Sequence, residues 1–179
     1  MKILNLPNTL TVARIVIIPV FITAVIYQKH RHALVLFVVA ALTDLLDGLI
    51  ARLTNQKTAL GQFLDPLADK FLLVSSFILF SVQGWIPLWL TITVISRDLV
   101  VVIGWFLLYL LTHRVATEPV LLGKTAIALQ LITLAVVLLD INLSSTIPQQ
   151  GLLFAATAAV TGISGIQYIY KGLRLADAI

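Results

Sequence analysis

The sequence contains no cysteine, and only 11% of its residues are charged. The absence of cysteine excludes disulfide bonds and metal sites built on thiolates. A charged fraction this low is less than half of what soluble proteins carry. The net charge of +4 is small and scattered along the chain, so it does not indicate a nucleic-acid partner.

Apolar residues make up 60% of the chain, and its mean hydropathy is +1.05. Both values are typical of an integral membrane protein. A membrane-spanning helix needs about 20 mostly apolar residues. The segments that qualify are 9–27, 33–53, 63–82, 86–111, 120–139 and 150–170. We therefore predict an all-α integral membrane protein with six transmembrane helices in a single domain over residues 1–179.

The distribution of basic residues predicts the orientation of these helices. Six spans place both termini on one side of the membrane. Arg14, Lys70 and Arg97 lie within spans and are not counted. Of the other basic residues, that side holds Lys2, Arg52, Lys57, Arg114, Lys124, Lys171 and Arg174, whereas the other side holds only Lys29 and Arg31. By the positive-inside rule, the first side and both termini are cytoplasmic. The chain shows no transit segment, and we expect it in a bacterial inner membrane.

Four aspartates lie where the second span ends and the third begins, although acids are costly in a membrane. Asp44 and Asp47 are three residues apart, and Asp65 and Asp69 are four apart, so each pair shares one helix face. A short connection makes the two helices antiparallel neighbours, so the pairs can converge on one cytoplasmic-face site. Carboxylate oxygens suit Mg²⁺ or Mn²⁺, and two such ions could clamp a pyrophosphate.

Small residues accompany the aspartates. Gly48 follows Asp47 directly, Ala51 lies one turn further on, and Gly61 precedes the second pair. A glycine within a helix costs about 1 kcal/mol relative to alanine, so it needs a reason. Close approach of a nucleotide or phosphate is one reason, and tight helix packing is the other.

Several basic residues lie inside or beside the spans. Arg14 either faces the bundle interior or reaches the interface. Arg97, next to Asp98, either forms a structural ion pair or binds the phosphate of a substrate. Arg114 and Lys124 lie on the cytoplasmic side, where they could complete an anionic pocket or only determine topology.

The aspartate stretch resembles the signature of the CDP-alcohol phosphatidyltransferases at all eight fixed positions. It reads Asp44-x2-Asp47-Gly48-x2-Ala51-Arg52-x8-Gly61-x3-Asp65-x3-Asp69. The resemblance implies a divalent-metal-dependent membrane enzyme whose single domain covers the chain. Such an enzyme moves the phosphatidyl group of CDP-diacylglycerol to an alcohol and releases CMP. A homodimer is also implied.

The resemblance further implies roles for individual residues. Asp44, Asp47 and Asp65 would be metal ligands, and Asp69 would be a ligand, the general base, or both. The implied CDP-binding residues are Asp44, Gly48, Ala51, Arg52 and Gly61. Asp69 is the deepest acid on its helix, which favours it as the base.

The acceptor alcohol is indicated less directly. Within the family, the runs 7–14 and 64–70 resemble phosphatidylglycerophosphate synthases, whose acceptor is glycerol 3-phosphate. The run Ser96-Arg97-Asp98 is instead similar to cardiolipin synthases of the same fold, whose acceptor is phosphatidylglycerol. We expect glycerol 3-phosphate, bound through Arg97, Arg114 and Lys124, with phosphatidylglycerol as the alternative.

Two hypotheses from other classes compete with an enzyme. In a small cation transporter the aspartates would line the ion path, but acids at mid-depth and on the opposite side are missing. In a structural membrane subunit they would only pair helices. Against that, Arg52 and Lys70 are the only bases that the sequence places near the four carboxylates.

Overall fold

The computed structural model describes the backbone of residues 6–54, 59–112, 121–143 and 150–176. Side chains are described for residues 11–44, 68–107, 110, 121–143 and 150–175. These stretches contain six helices, in the predicted order. The helices are α1 (Leu6–Ile26), α2 (His30–Thr54), α3 (Ala59–Val82), α4 (Leu88–Thr112), α5 (Leu121–Leu143) and α6 (Gln150–Ala176).

Three of the described helices are long and apolar enough to cross a membrane. Their apolar stretches are Leu88–Leu107 in α4, Leu121–Leu143 in α5 and Gln150–Leu175 in α6. Helix α1 carries a shorter apolar stretch, Thr11–Ile26. The chain is therefore an all-α membrane protein, as predicted, whereas six spans and cytoplasmic termini stay predictions.

A tight turn joins α1 to α2. Gln28 adopts a left-handed conformation with φ of 55°. Its N–H donates to the carbonyl of Val25 at 3.0 Å, and the N–H of Lys29 donates to the carbonyl of Ala24 at 2.8 Å. This pair of hydrogen bonds is the Schellman motif, which satisfies the last carbonyls of α1. The chain then enters α2 at once, so the predicted polar break at 28–32 is shorter than expected.

The turn between α3 and α4 depends on a glycine and a proline. Gly84 has a φ of +75°, a conformation that glycine adopts without steric cost. Pro87 lies just before α4, and its carbonyl accepts a hydrogen bond from the N–H of Leu90 at 3.0 Å. Proline fits at a helix start because its missing N–H would have no partner within the helix.

Helix α5 is longer than the sequence indicated. The predicted span 120–139 ends before Asp140 and Asn142, and this end is wrong because α5 continues to Leu143. The side-chain amide of Asn142 donates to the carbonyl of Leu138 at 2.8 Å and to that of His30 at 3.2 Å. These bonds satisfy the amide and stabilise the added turn.

The chain divides into two compact units. The first contains α1, α2, α3 and the part of α5 from Leu134, and the second contains α4, the preceding part of α5, and α6. The prediction of one domain over residues 1–179 stays a prediction.

Within the first unit, α1 packs against both α2 and α3. Its buried face is a stripe at helical spacing, formed by Thr11, Arg14, Ile18, Phe21 and Val25. The opposite face, which includes Val12, Val16 and Val20, is apolar and exposed, as expected of a helix surface in lipid. Both faces are apolar, so hydrophobicity alone does not identify the packed one.

Three phenylalanine rings form the centre of the first unit. The ring of Phe21 lies 6.1 Å from that of Phe37 on α2 and 6.4 Å from that of Phe80 on α3, centroid to centroid. All three side chains are buried. Tilted aromatic pairs at this distance are favourable. Ala24, Ala33 and Ala40 are also buried, and such small residues let membrane helices approach closely.

In the second unit, α4 packs against α6. Polar side chains join α5 to α6. Gln130 on α5 donates to the hydroxyl of Thr161 on α6 at 3.0 Å. The hydroxyls of Thr133 and Thr157 are 2.7 Å apart. All four residues are fully buried, and hydrogen bonds between helices are a common means of association in membranes. We call these two contacts the α5–α6 polar ladder.

The phenylalanine cluster leads to a stability prediction. Replacing Phe21 by alanine should lower the free energy of unfolding by about 1–3 kcal/mol, because the ring loses packing contacts with two helices. The measurement is denaturation of the purified protein in detergent. Phe71 on α3 is 59% exposed and provides the matched control. Equal losses for Phe21→Ala and Phe71→Ala would contradict the proposed core.

Candidate active site

Three helices of the first unit bring charged side chains to one point. Arg14 of α1 is fully buried, and its Nη1 lies 3.0 Å from Oδ1 of Asp44 on α2 and 2.5 Å from Oδ1 of Asp69 on α3. Both carboxylate side chains are 39% exposed. The guanidinium therefore contacts the carboxylates from the protein interior, and the carboxylates retain an accessible side.

This arrangement brings together one member of each predicted aspartate pair. The structure places Asp44 and Asp69 on neighbouring helices, with oxygens close enough to share one nitrogen. Asp47 lies on the continuous helix α2 with Asp44, and Asp65 lies on α3 with Asp69, so the spacing argument applies to both. The side chains of Asp47 and Asp65 lie outside the described ones.

The predicted CDP-binding residues fall on the same two helices. Gly48, Ala51 and Arg52 belong to the last turns of α2, and Gly61 belongs to the first turn of α3. The structure gives their backbone as helical but does not describe their side-chain surroundings. Their predicted contact with a nucleotide stays a prediction.

The donor set fits a hard divalent cation. Carboxylate oxygens are preferred by Mg²⁺ and Mn²⁺, and the structure brings an oxygen from each of two carboxylates to one nitrogen of Arg14. Among the described side chains, no group of three or more His, Asp or Glu residues converges on a metal position. A full ligand set therefore requires Asp47 or Asp65.

Arg14 was not assigned to the site from the sequence. The assumption that only Arg52 and Lys70 are bases near the aspartates is wrong, because Arg14 contacts two of the carboxylates directly. The sequence contained one signal that could have placed Arg14 beside the aspartates, namely its depth along α1. Arg14 lies eight residues after the start of α1, Asp44 ten before the end of α2, and Asp69 ten after the start of α3.

The second unit holds the buried arginine that was predicted to bind an acceptor phosphate. Arg97 on α4 is 6% exposed. Its Nη1 donates to Asp98 at 2.8 Å, and its Nε donates to the hydroxyl of Ser164 on α6 at 3.0 Å. Its guanidinium carbon lies 5.4 Å from the centroid of the Tyr168 ring. The ion pair with Asp98 is thus present, and phosphate binding stays a prediction.

Of the other two residues predicted at the acceptor pocket, the structure describes one. Lys124 lies on the first turn of α5, and its side chain is exposed. Arg114 lies outside the described residues.

Comparison with known proteins identifies the family. The family model for CDP-alcohol phosphatidyltransferases matches residues 4–163, which include the aspartates, Arg14 and Arg97. The chain therefore belongs to the CDP-alcohol phosphatidyltransferase family. It is a membrane transferase of phospholipid biosynthesis.

Individual relatives fall into two groups. The chain is 33% identical over 180 residues to a probable phosphatidylglycerophosphate synthase of Mycobacterium tuberculosis, covering 97% of this chain and 84% of the relative. It is 31% identical to the CDP-diacylglycerol–glycerol-3-phosphate 3-phosphatidyltransferase of Aquifex aeolicus, covering 96% of this chain and 98% of that one. It is also 35% identical to the CMP-forming cardiolipin synthase of Rattus norvegicus, covering 98% of this chain and 64% of the relative.

The shared guanidinium leads to a second stability prediction. Arg14→Met should lower the free energy of unfolding by about 1–3 kcal/mol, because two neighbouring carboxylates lose their common cation. Arg14→Lys keeps the charge and should fall between this variant and the wild type. Denaturation in detergent measures both effects. The control is Arg31→Met, since Arg31 is exposed at the start of α2. A loss no larger than that of the control would contradict a structural role for the Arg14 contacts.

Proposed function

We propose that the protein transfers the phosphatidyl group of CDP-diacylglycerol to the hydroxyl of glycerol 3-phosphate, giving phosphatidylglycerophosphate and CMP. The observation that carries this proposal is the meeting of Asp44 and Asp69 at one nitrogen of Arg14. It supports a carboxylate site between α2 and α3, on the stretch that carries the family signature. The family match and the relatives named for this reaction support the substrates.

The reaction is a single displacement without a covalent enzyme intermediate. The acceptor hydroxyl oxygen forms a bond to the β-phosphorus of CDP-diacylglycerol. The bond from this phosphorus to the oxygen bridging the two phosphates breaks, and CMP leaves with that oxygen. The hydroxyl proton passes to the carboxylate of Asp69, which acts as the general base.

The carboxylates Asp44, Asp47, Asp65 and Asp69 would hold the divalent ions, two Mg²⁺ or Mn²⁺. When bound, these ions supply positive charge that offsets the charge of the pyrophosphate. The chain's own contribution is to fix the ligands. Arg14 holds Asp44 and Asp69 from the interior, so their positions relative to each other are set before substrate arrives. Gly48, Ala51, Arg52 and Gly61 would lie against the CDP group.

Arg97, with Arg114 and Lys124, would bind the phosphate of the acceptor. Arg97 supports this role because its side chain is already held in one orientation, which reduces the entropy lost on binding.

Phosphatidylglycerol is the second candidate acceptor, favoured by the relative named as a cardiolipin synthase. Glycerol 3-phosphate is preferred because the relatives named for it are matched over more of their own length.

The same proposal includes the membrane arrangement. All six helices would span a bacterial inner membrane, with both termini and the active site on the cytoplasmic face. The seven-to-two distribution of basic residues supports this orientation. The enzyme would act as a homodimer, as the family resemblance implies.

The acceptor is tested by measuring CMP release. Purified protein with CDP-diacylglycerol and Mg²⁺ or Mn²⁺ should release CMP when glycerol 3-phosphate is added, and removal of the metal with a chelator should stop the release. Phosphatidylglycerol and inositol phosphate complete the panel. CMP release with phosphatidylglycerol alone would replace the first acceptor by the second. No CMP with any alcohol would refute the transferase proposal and leave the cation-transport hypothesis to be tested by ion flux.

The role of Asp69 is tested by Asp69→Asn. This variant should still bind metal and nucleotide, because three predicted carboxylate ligands remain, but its turnover should fall by about 100-fold or more since the base is missing. CMP release measures turnover, and nucleotide binding is measured separately. Asp140→Asn, near the end of α5, is the matched control and should retain activity. Normal turnover by Asp69→Asn would show that Asp69 is not the base.

A further inference from the structure

The guanidinium of Arg97 has hydrogen-bonding capacity that the described side chains leave unused. An arginine carries five N–H donors in one plane. Nε is taken by Ser164 and Nη1 contacts Asp98, but Nη2 has no hydrogen-bond acceptor among the described residues. The residue is nevertheless 94% buried, given its 6% exposure. Nη2 is not one of the fully buried side-chain nitrogens that lack a partner, so it remains accessible to an acceptor from another group.

Three contacts fix the plane of this guanidinium. Ser164 on α6 accepts from Nε, Asp98 on α4 accepts from Nη1, and the guanidinium carbon lies over the Tyr168 ring, 5.4 Å from its centroid. A cation over an aromatic face is attracted by the ring. With Nε and Nη1 bonded and the guanidinium carbon over the ring, Nη2 has a defined direction.

Two glycines leave room for this arrangement. A Cβ atom added to Gly123 on α5 would lie 2.8 Å from the hydroxyl oxygen of Tyr168 and 3.1 Å from Nη2 of Arg97. A Cβ atom added to Gly165 on α6 would lie 3.3 Å from Cγ of Arg97. The two distances from Gly123 show that Nη2 of Arg97 and the hydroxyl of Tyr168 both lie beside the first turn of α5, where Lys124 follows Gly123.

Among the glycines whose surroundings the structure describes, only these two show such a close approach. A Cβ atom added to Gly104, Gly151 or Gly162 would meet nothing within 4 Å. Gly162 lies on the same helix as Gly165, one turn away. Helix packing in general therefore does not require glycine on these helices, and the requirement at Gly123 arises from Arg97 and Tyr168.

The charges favour an anion at this position. Arg97 and Asp98 neutralise each other, so the ion pair alone attracts an anion weakly. Lys124 follows Gly123 in the chain and adds an exposed positive charge on the first turn of α5. A phosphate could accept a hydrogen bond from Nη2 and be neutralised by Lys124.

We propose that Ser164, Tyr168 and Gly123 are positioning residues that fix Nη2 of Arg97 for the phosphate of the acceptor. The proposal rests on the proposed function for the identity of that acceptor. Ser164 and Tyr168 orient the guanidinium, and Gly123 provides the space in which Nη2, the Tyr168 hydroxyl and a phosphate oxygen meet. None of the three has to contact the reacting atoms.

The test uses a substitution that adds one methyl group. Gly123→Ala should displace the Tyr168 ring and with it the guanidinium, because its Cβ would lie 2.8 Å from the tyrosine hydroxyl. Binding of glycerol 3-phosphate to the purified protein, without CDP-diacylglycerol, should weaken by about tenfold or more. In CMP release, KM for the acceptor should rise and kcat should change little. Gly104→Ala is the matched control and should bind as the wild type does.

A second substitution separates a positioning role from loss of packing. Tyr168→Phe keeps the ring face and removes the atom that the new methyl group would meet first. Cε2 of the ring at 3.0 Å and Nη2 of Arg97 at 3.1 Å remain, so this change should restore only part of the binding lost in Gly123→Ala. Alone, Tyr168→Phe should bind nearly as the wild type does, whereas Tyr168→Ala should bind weakly. Tyr170→Ala, an exposed tyrosine on the same helix, is its control. If Gly123→Ala does not fold, Gly165→Ala with Gly162→Ala as control replaces it.

The outcomes distinguish this inference from the proposed function. Wild-type binding by Gly123→Ala and Tyr168→Ala would overturn the inference even if CMP release is normal. A binding loss in Gly104→Ala as large as that in Gly123→Ala would also overturn it, since the loss would then not arise at Arg97. Absence of CMP release would refute the reaction, while the binding measurement would still decide the inference. Glycerol 3-phosphate and phosphatidylglycerol are titrated in parallel, so that a phosphate monoester and a lipid diester are compared at the same arginine.

Discussion

A single guanidinium nitrogen joins three helices of this protein. A buried arginine in a membrane protein requires anionic partners, and two neighbouring carboxylates require a cation. Arg14, Asp44 and Asp69 satisfy both requirements at once, from α1, α2 and α3. Two contacts hold α1 against the other two helices. One is this ion-pair contact at Arg14, and the other is the packing of the Phe21 ring two turns further along α1. The carboxylates are therefore held by the same interaction that orders the helices, and substrate binding does not have to bring them together.

The sequence predicted the helices well because long apolar segments separated by polar turns have few alternatives in a membrane. It predicted their packing poorly. On α1 the exposed Val16 is as apolar as the buried Ile18, so only Arg14 and Thr11 distinguish the inner face. The end of α5 was missed because Asp140 and Asn142 suggested a loop, whereas the Asn142 amide finds acceptors at the carbonyls of Leu138 and His30. Such partners are distant in sequence or depend on the fold, and polarity alone does not reveal them.

The site was predictable to a similar extent. Helical spacing was sufficient to place Asp44 and Asp69 at a common position. The helical period determines which face each aspartate occupies, and the short connection between α2 and α3 makes these helices antiparallel neighbours. The partner of these acids, Arg14, is 30 residues from Asp44 and 55 from Asp69, and only its depth along α1 could have identified it. At Arg97 the sequence suggested the ion pair with its neighbour Asp98. It did not suggest Ser164 and Tyr168, since these residues reach the arginine only when α6 packs against α4.

The α5–α6 polar ladder also restricts how the second unit can move. Gln130 faces Thr161, and Thr133 faces Thr157, so the partners run in opposite directions along the two helices. If α6 slid along its axis by one turn, about 5.4 Å, at least one of these hydroxyls or amides would be left facing hydrocarbon. Ser164 lies on the same stripe of α6 and would leave Arg97. Piston motion of α6 is thus opposed at three points. The position of Arg97 along α6 therefore depends on threonines and a glutamine that do not touch it.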